Sequence, residues 1–308
     1  MSPFFAHLLQ SGVDESGSTG SDLREDLLNA MKQFMTQIGV RSMPCVVRLA
    51  CILWTAPALA ASCQDPAGFA SWLEGFKREA VTQGISQKTI ASALTGLNYD
   101  PEVVSRDRKQ GVFQQSFEQF SGRAVSPDRL KKGANMLKRY GSILGRIEKQ
   151  FGVPGPVVVA IWGLETDFGA NLGSFATVRS LASLAYDCRR SELFQAELLE
   201  ALRIIERGDM LPDEMRGAWA GEIGQTQFMP SSYIKYAVDF DNNGKRDLIR
   251  SVPDALASTA NFLKNSGWSA GQPWAPGSAN FDVLLQWNKS QVYTKTVGYF
   301  ATRLEREP

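Results

Sequence analysis

Apolar side chains recur every three to four residues along most of the chain, and this spacing predicts helices. Phe69, Trp72, Leu73 and Phe76 gather on one helical face. Ser86-Gln-Lys-Thr opens a short helix that runs to Leu94. Ser126-Pro127-Asp128 opens another, with serine as N-cap and proline in the first turn. The pattern carries that helix through Met136 and Tyr140 to about Phe151, where Gly152-Val153-Pro154-Gly155 breaks it. Further helices are predicted near 157–166, 177–186, 191–207, 230–237, 252–266 and 290–304. Alternating strand patterns are few, and no repeat or low-complexity run follows residue 62. The expected architecture is mainly α, an α+β chain with a small β component.

Residues 43–60 depart from this periodicity. Arg41 and Arg48 supply positive charge, Leu49 to Trp54 an apolar run, and Ala58-Leu59-Ala60 an A-x-A cleavage site. That is a signal-peptide pattern, too short for a stable membrane span. A buried helix would leave the same pattern. Residues 1–42 read as a disordered or mis-assigned leader, because Ser11 to Ser21 is rich in Gly, Ser and Asp. Met35 and Met43 are alternative starts. Residues 61–308 are then the folded domain, exported and without a membrane span. Ala60 stands where a lipid-anchored chain would carry leucine before Cys63, so lipid anchoring is not expected.

Composition narrows the chemistry. The net charge of +1 and pI near 7.6 give no reason to expect nucleic acid or an acidic membrane as partner. The chain has one histidine, His7, in the leader. Ser-His-Asp and Cys-His catalysis and histidine-ligated zinc are therefore excluded from the folded part. Of the four cysteines, Cys63 and Cys188 remain after leader removal and are candidates for a disulfide. Two unrelated thiols are the other reading.

The chemistry concentrates in residues 156–169, Pro-Val-Val-Val-Ala-Ile-Trp-Gly-Leu-Glu-Thr-Asp-Phe-Gly. Pro156 suits a helix start and Gly169 a C-terminal cap. The helix between them is apolar nearly all round and should be buried. Glu165 is the lone carboxylate of its last turn. Burial and the negative end of the helix dipole both disfavour its charged form. A carboxyl group protonated near neutral pH is what a general acid requires. A glutamate that only caps the helix or pairs with Arg179 satisfies the same local pattern. Asp167, two residues on, points to another face and is a poor second carboxylate. A single acid favours a reaction in which the substrate supplies its own nucleophile.

Gly163-Leu-Glu165-Thr-Asp-Phe-Gly169, followed by Gly217-Ala-Trp-Ala-Gly-Glu-Ile-Gly-Gln-Thr-Gln227-Phe-Met-Pro-Ser-Ser-Tyr233, resembles the membrane-bound lytic murein transglycosylase B family. Tyr236-Ala-Val-Asp-Phe-Asp-Asn-Asn-Gly and Trp287-Asn-Lys-Ser-Gln-Val-Tyr293 fit the same family, over roughly residues 65–305. The resemblance implies a lysozyme-like catalytic domain in the periplasm, a monomer acting on peptidoglycan glycan strands, with cell-wall enzyme complexes as further partners. It implies cleavage of the β-1,4 bond between N-acetylmuramic acid and N-acetylglucosamine to a 1,6-anhydro product, without a catalytic cofactor. Glu165 would act as acid and then as base. Gln227, Ser231, Tyr233 and Tyr293 would contribute to the substrate groove. Gln227 as a loop amide bonded to backbone, Ser231 as a helix cap and Tyr293 as core remain open. Phe120 is a departure, since the family carries a groove tyrosine near this point. Two other readings stand beside this one: a hydrolytic muramidase, and a non-catalytic calcium-dependent peptidoglycan-binding protein.

Asp239-Phe-Asp241-Asn-Asn243-Gly-Lys245-Arg-Asp247 matches the first nine positions of an EF-hand calcium loop. Position twelve is Arg250, and Asp254 is the candidate for the missing ligand. Lys245 would offer its carbonyl. A bound Ca²⁺ would be structural. Ser251 to Asp254 also reads as a capping box for the next helix.

Overall fold

The computed structural model describes residues 65–109 and 115–306. The readings of residues 1–42 as leader and 43–60 as signal peptide, and Cys63, lie outside the described residues. The described residues fall in one compact unit.

Helices dominate. In chain order they are α1 (Pro66–Thr82), α2 (Gln87–Leu94), α3 (Pro101–Arg108), α4 (Phe117–Ala124), α5 (Pro127–Arg139), α6 (Gly141–Phe151) and α7 (Gly155–Thr166). They continue as α8 (Thr177–Tyr186), α9 (Ser191–Glu206), α10 (Pro230–Tyr236), α11 (Val252–Asn265), α12 (Ala279–Trp287) and α13 (Gln291–Arg306). Among the described residues the one sheet is an antiparallel pair, β1 (Phe175–Ala176) with β2 (Arg216–Gly217), in the register Phe175 to Gly217 and Ala176 to Arg216.

Three short helices depart from the periodicity reading: α3, α4 and α12. Each is announced by its cap instead. Asp100 accepts the Glu102 and Val103 amides ahead of Pro101, Ser116 and Gln119 form a capping box, and Ser278 accepts the Phe281 amide. The long helix expected from Ser126 to Phe151 is two helices. Tyr140 leaves helical geometry between α5 and α6, and its ring packs edge-on against Trp162 at 5.7 Å. Burying that aromatic ring against α7 decides the break.

α7 is the centre of the fold. Val157 to Trp162 and Leu164 are at most 2% exposed, and α5, α6, α11 and α13 pack around them. Gly163 sets the distance to α13. A Cβ there would stand 2.7 Å from the Phe168 ring and 3.0 Å from the Phe300 ring. Glycine thus lets α13 approach and bring Tyr293 over the end of α7. Among the described residues, no helix is long and apolar enough to cross a membrane.

Candidate active site

The end of α7 is built differently from the expected glycine cap. Asp167 and Phe168 both adopt left-handed backbone, with φ of 52° and 63°, ahead of Gly169 at 82°. That conformation costs energy for residues with a Cβ. Asp167 offsets it by pairing with Arg129 at 3.3 Å and Lys132 at 2.8 Å, both on α5. These ion pairs hold its carboxyl below the usual carboxylate range. Asp167 therefore clamps the turn and takes no part beside Glu165.

Glu165 is 1% exposed. Its Oε1 accepts a hydrogen bond from Trp287 Nε1 at 3.0 Å and a short one from the Tyr293 hydroxyl. Its Oε2 is buried and has no hydrogen-bond partner among the described residues. Burial is the largest influence on the carboxyl, the two donors oppose it, and nearby Glu222 adds to it; the pKa is pushed up to about 8. The group is neutral at pH 7. The proton belongs on Oε2, because both donors occupy Oε1. Pairing with Arg179 does not occur, as that guanidinium bonds the Asn98 and Tyr99 carbonyls.

Trp287 and Tyr293 reach Glu165 from α12 and α13. Tyr293 is a core residue whose hydroxyl donates to Glu165. Trp287 also packs edge-on against Phe228 and Phe262. The indole is held in place by those rings, which fixes the direction of its N–H.

Gln227 lies in the loop before α10 with a left-handed φ of 57°. Its Nε2 donates to the Leu172 and Gly224 carbonyls at 3.0 and 2.7 Å, and its Oε1 accepts the Ala218 amide at 3.1 Å. The side-chain amide is thus committed to backbone, and Gln227 shapes the groove more than it offers free polar groups. It borders two clefts. One, of about 330 Å³, includes Arg106, Leu172, Phe175, Ala218 and Trp219. The other, of about 70 Å³, includes Ser232, Gln286 and Trp287.

Two expected groove residues sit elsewhere. Tyr233 is fully buried, and its hydroxyl donates to the Arg246 carbonyl, tying α10 to the acidic loop. No face is left for a substrate. Ser231 gives its amide and hydroxyl to Glu197 on α9 at 2.9 and 2.6 Å. The cap of α10 is thus supplied by a carboxylate of another helix, not by the Ser231 side chain. Phe120 is 4% exposed and belongs to the core.

The sequence reading found no second carboxylate, and the structure has one. Glu222 is 1% exposed, its Oε2 accepts the Ala220 amide at 3.0 Å, and burial pushes its pKa up to about 7. Its only sequence signal was a charged residue inside an otherwise apolar and glycine-rich loop.

In the acidic loop, oxygen atoms of Asp239, Asp241 and Asp254 lie within 4.8 Å of one another. Asp254 is 0% exposed; it accepts the Phe240, Asp241 and Asp247 amides at 2.7, 3.3 and 3.0 Å. Ser251 caps α11 by accepting the Asp254 amide, so Asp254 serves both the helix start and the loop. The Asp247 carboxylate stands apart, on the Ile249 and Arg250 amides. Asn243 accepts the Lys245 amide through its side-chain oxygen. Cys188 is disulfide-bonded, and its partner lies outside the described residues.

The transglycosylase SLT domain model matches residues 68–279. The chain belongs to the transglycosylase SLT domain family. It is 33% identical over 199 residues to the membrane-bound lytic murein transglycosylase B of Escherichia coli (strain K12), covering 64% of this chain and 55% of that protein. The chain thus spans about half the length of this curated relative. It is 34% identical to SltB3 of Pseudomonas aeruginosa, solved with NAG-NAM-pentapeptide, with a TM-score of 0.74 over 78% of this chain and 80% of that one. The same protein solved with NAG-anhNAM-pentapeptide gives a TM-score of 0.73 over 77% and 80%. The Escherichia coli lytic transglycosylase Slt35, solved in complex with calcium, shares the fold at 24% identity and a TM-score of 0.67, over 76% of this chain and 92% of that one. The mainly α, lysozyme-like fold expected from the sequence is the fold of these relatives.

Proposed function

We propose that this chain is a periplasmic lytic transglycosylase that cleaves the β-1,4 bond between N-acetylmuramic acid and N-acetylglucosamine in peptidoglycan. The observation that carries this reading is the state of Glu165: a neutral, buried carboxyl with one oxygen held by two donors and the other without a partner. Glu165 Oε2 gives its proton to the bridging oxygen as the bond from C1 to that oxygen breaks. The muramoyl 6-hydroxyl then closes on C1 and returns its proton to the same carboxylate. The product is a 1,6-anhydromuramoyl end, no water is consumed, and no cofactor takes part. The anhydro sugar bound to SltB3 is a product of that kind. Trp287 and Tyr293 orient the carboxyl and stabilise the charge it carries between the two transfers.

Glu222 favours a second reading, a hydrolytic muramidase, because hydrolases ordinarily use two carboxylates. Against it, Glu222 accepts a backbone amide and is itself pushed toward the neutral form, a poor state for activating water. Mass spectrometry of muropeptides released from purified cell wall decides between them. The anhydro product is lighter by one water. A product retaining that water sinks the transglycosylase reading, and cleavage at full rate by Glu165→Gln sinks the role of Glu165.

The acidic loop is read as a structural Ca²⁺ site. Its donors are all oxygen, and three carboxylates converge, which suits a hard cation. Asp239, Asp241 and Asp254 would hold the ion, with Asn243 and the Lys245 carbonyl completing the loop. Asp247 is a weaker candidate because its carboxylate caps the following turn. The ion would brace α10 and α11 and do no chemistry.

A further inference from the structure

Among the described residues, the larger cleft beside Gln227 has one charged residue in its lining, Arg106 on α3. Its guanidinium stacks over the Phe175 ring at 5.2 Å. Nε and Nη2 both reach one oxygen of Glu102, at 3.1 and 2.7 Å. Glu102 is 62% exposed on the same helix, so this pair is a weak surface contact. Nη1 makes no hydrogen bond among the described residues. An arginine fixed by an aromatic ring, with free N–H groups at a cleft, is arranged to take a planar anion. The remaining lining is apolar or uncharged: Leu172, Phe175, Ala218, Trp219 and Gln227 among others. These surfaces suit a sugar ring and leave Arg106 as the one cationic side chain among the described lining residues.

We propose that Arg106 binds a carboxylate carried by the muramoyl unit of the glycan, and so sets a preference for acid-bearing over neutral strands. This rests on the peptidoglycan reading of the same groove. A muramoyl unit presents a carboxylate in two ways. Where the peptide has been removed, the 3-O-lactyl group ends in a free acid. Where it remains, the stem peptide carries acids of its own. A strand made only of N-acetylglucosamine carries neither.

The test is calorimetric binding to the full chain carrying Glu165→Gln, with three oligosaccharides of equal length. One is the neutral N-acetylglucosamine oligomer, one carries free lactyl acids, and one carries peptide stems. Adding Arg106→Ala should weaken binding of at least one acid-bearing ligand by about tenfold and leave the neutral one unchanged. The acid-bearing ligand that responds identifies the source of the carboxylate. Arg106→Lys should fall between, since it keeps the charge and loses the planar fork. Added salt should erode only the difference between acid-bearing and neutral ligands. Removing the competing acid with Glu102→Gln should tighten the responding ligand by about twofold. Equal losses on all three ligands in Arg106→Ala, or none, overturn the proposal, as does weaker binding in Glu102→Gln. Failure of all three to bind before Arg106 is altered overturns the peptidoglycan reading instead.

Discussion

Glu165 and Asp254 are equally buried carboxylates, at 1% and 0% exposure, and their surroundings use them in opposite ways. Asp254 has both oxygens occupied by backbone amides, from Phe240 and Asp241 on one and Asp247 on the other. Burial leaves its pKa raised, although the three amides work against it. Glu165 has one oxygen occupied by side-chain donors and the other by nothing. Burial wins there. The difference teaches that burial alone does not make a proton donor. A buried acid whose oxygens are both taken by amides serves as a structural acceptor, whereas one left half-satisfied has an atom free to give a proton away.

Breaking the comparison at Glu165 has the largest expected effect. Glu165→Gln keeps the shape and loses the proton, and initial rates on purified cell wall should fall by about a thousandfold. The same variant should be more stable than the parent at neutral pH. The parent's folded-state pKa is about 8, above the ordinary 4.5, so folding costs progressively more as pH rises between these values. Thermal melts should show a gain of roughly 3 kcal/mol for the variant at pH 7, vanishing below about pH 4.5. A constant gain across that window would contradict the assignment.

At Asp254 the sign reverses. Asp254→Asn replaces one acceptor oxygen with a donor facing a backbone amide, and stability should drop by about 2 kcal/mol in denaturant titration. If calcium occupies the loop, chelation should lower the melting temperature of the parent and leave this variant nearly unchanged. The smallest effect is at Glu222. Its charge raises the Glu165 pKa, so Glu222→Gln should move the alkaline limb of the pH–rate profile to lower pH by less than one unit. An upward shift would show that Glu222 acts through structure instead.

Much of this comparison was legible in the sequence, on one side. An apolar run with a single glutamate in its last turn already implied a buried acid, and the pattern Asp239 to Asp247 implied an oxygen-lined loop. What was not legible came from contacts between distant segments. Trp287 donates to Glu165 across 122 positions, and Ser231 meets Glu197 across 34. Local periodicity carries no record of such pairs. Tyr140 broke a helix whose polar-apolar pattern ran on, because tertiary packing of its ring outweighed the local preference. α3 and α4, at eight residues each, were too short for periodicity to register, although their caps were written in the chain.

The measurement that bears most directly on Glu165 is its protonation state. Infrared difference spectra of the parent against Glu165→Gln, taken across a pH series, isolate the carbonyl band of the neutral acid. A band that persists at pH 7 and titrates near pH 8 is predicted. A band lost near pH 4.5 would mean an ordinary, ionised glutamate, and would contradict its role as the proton donor.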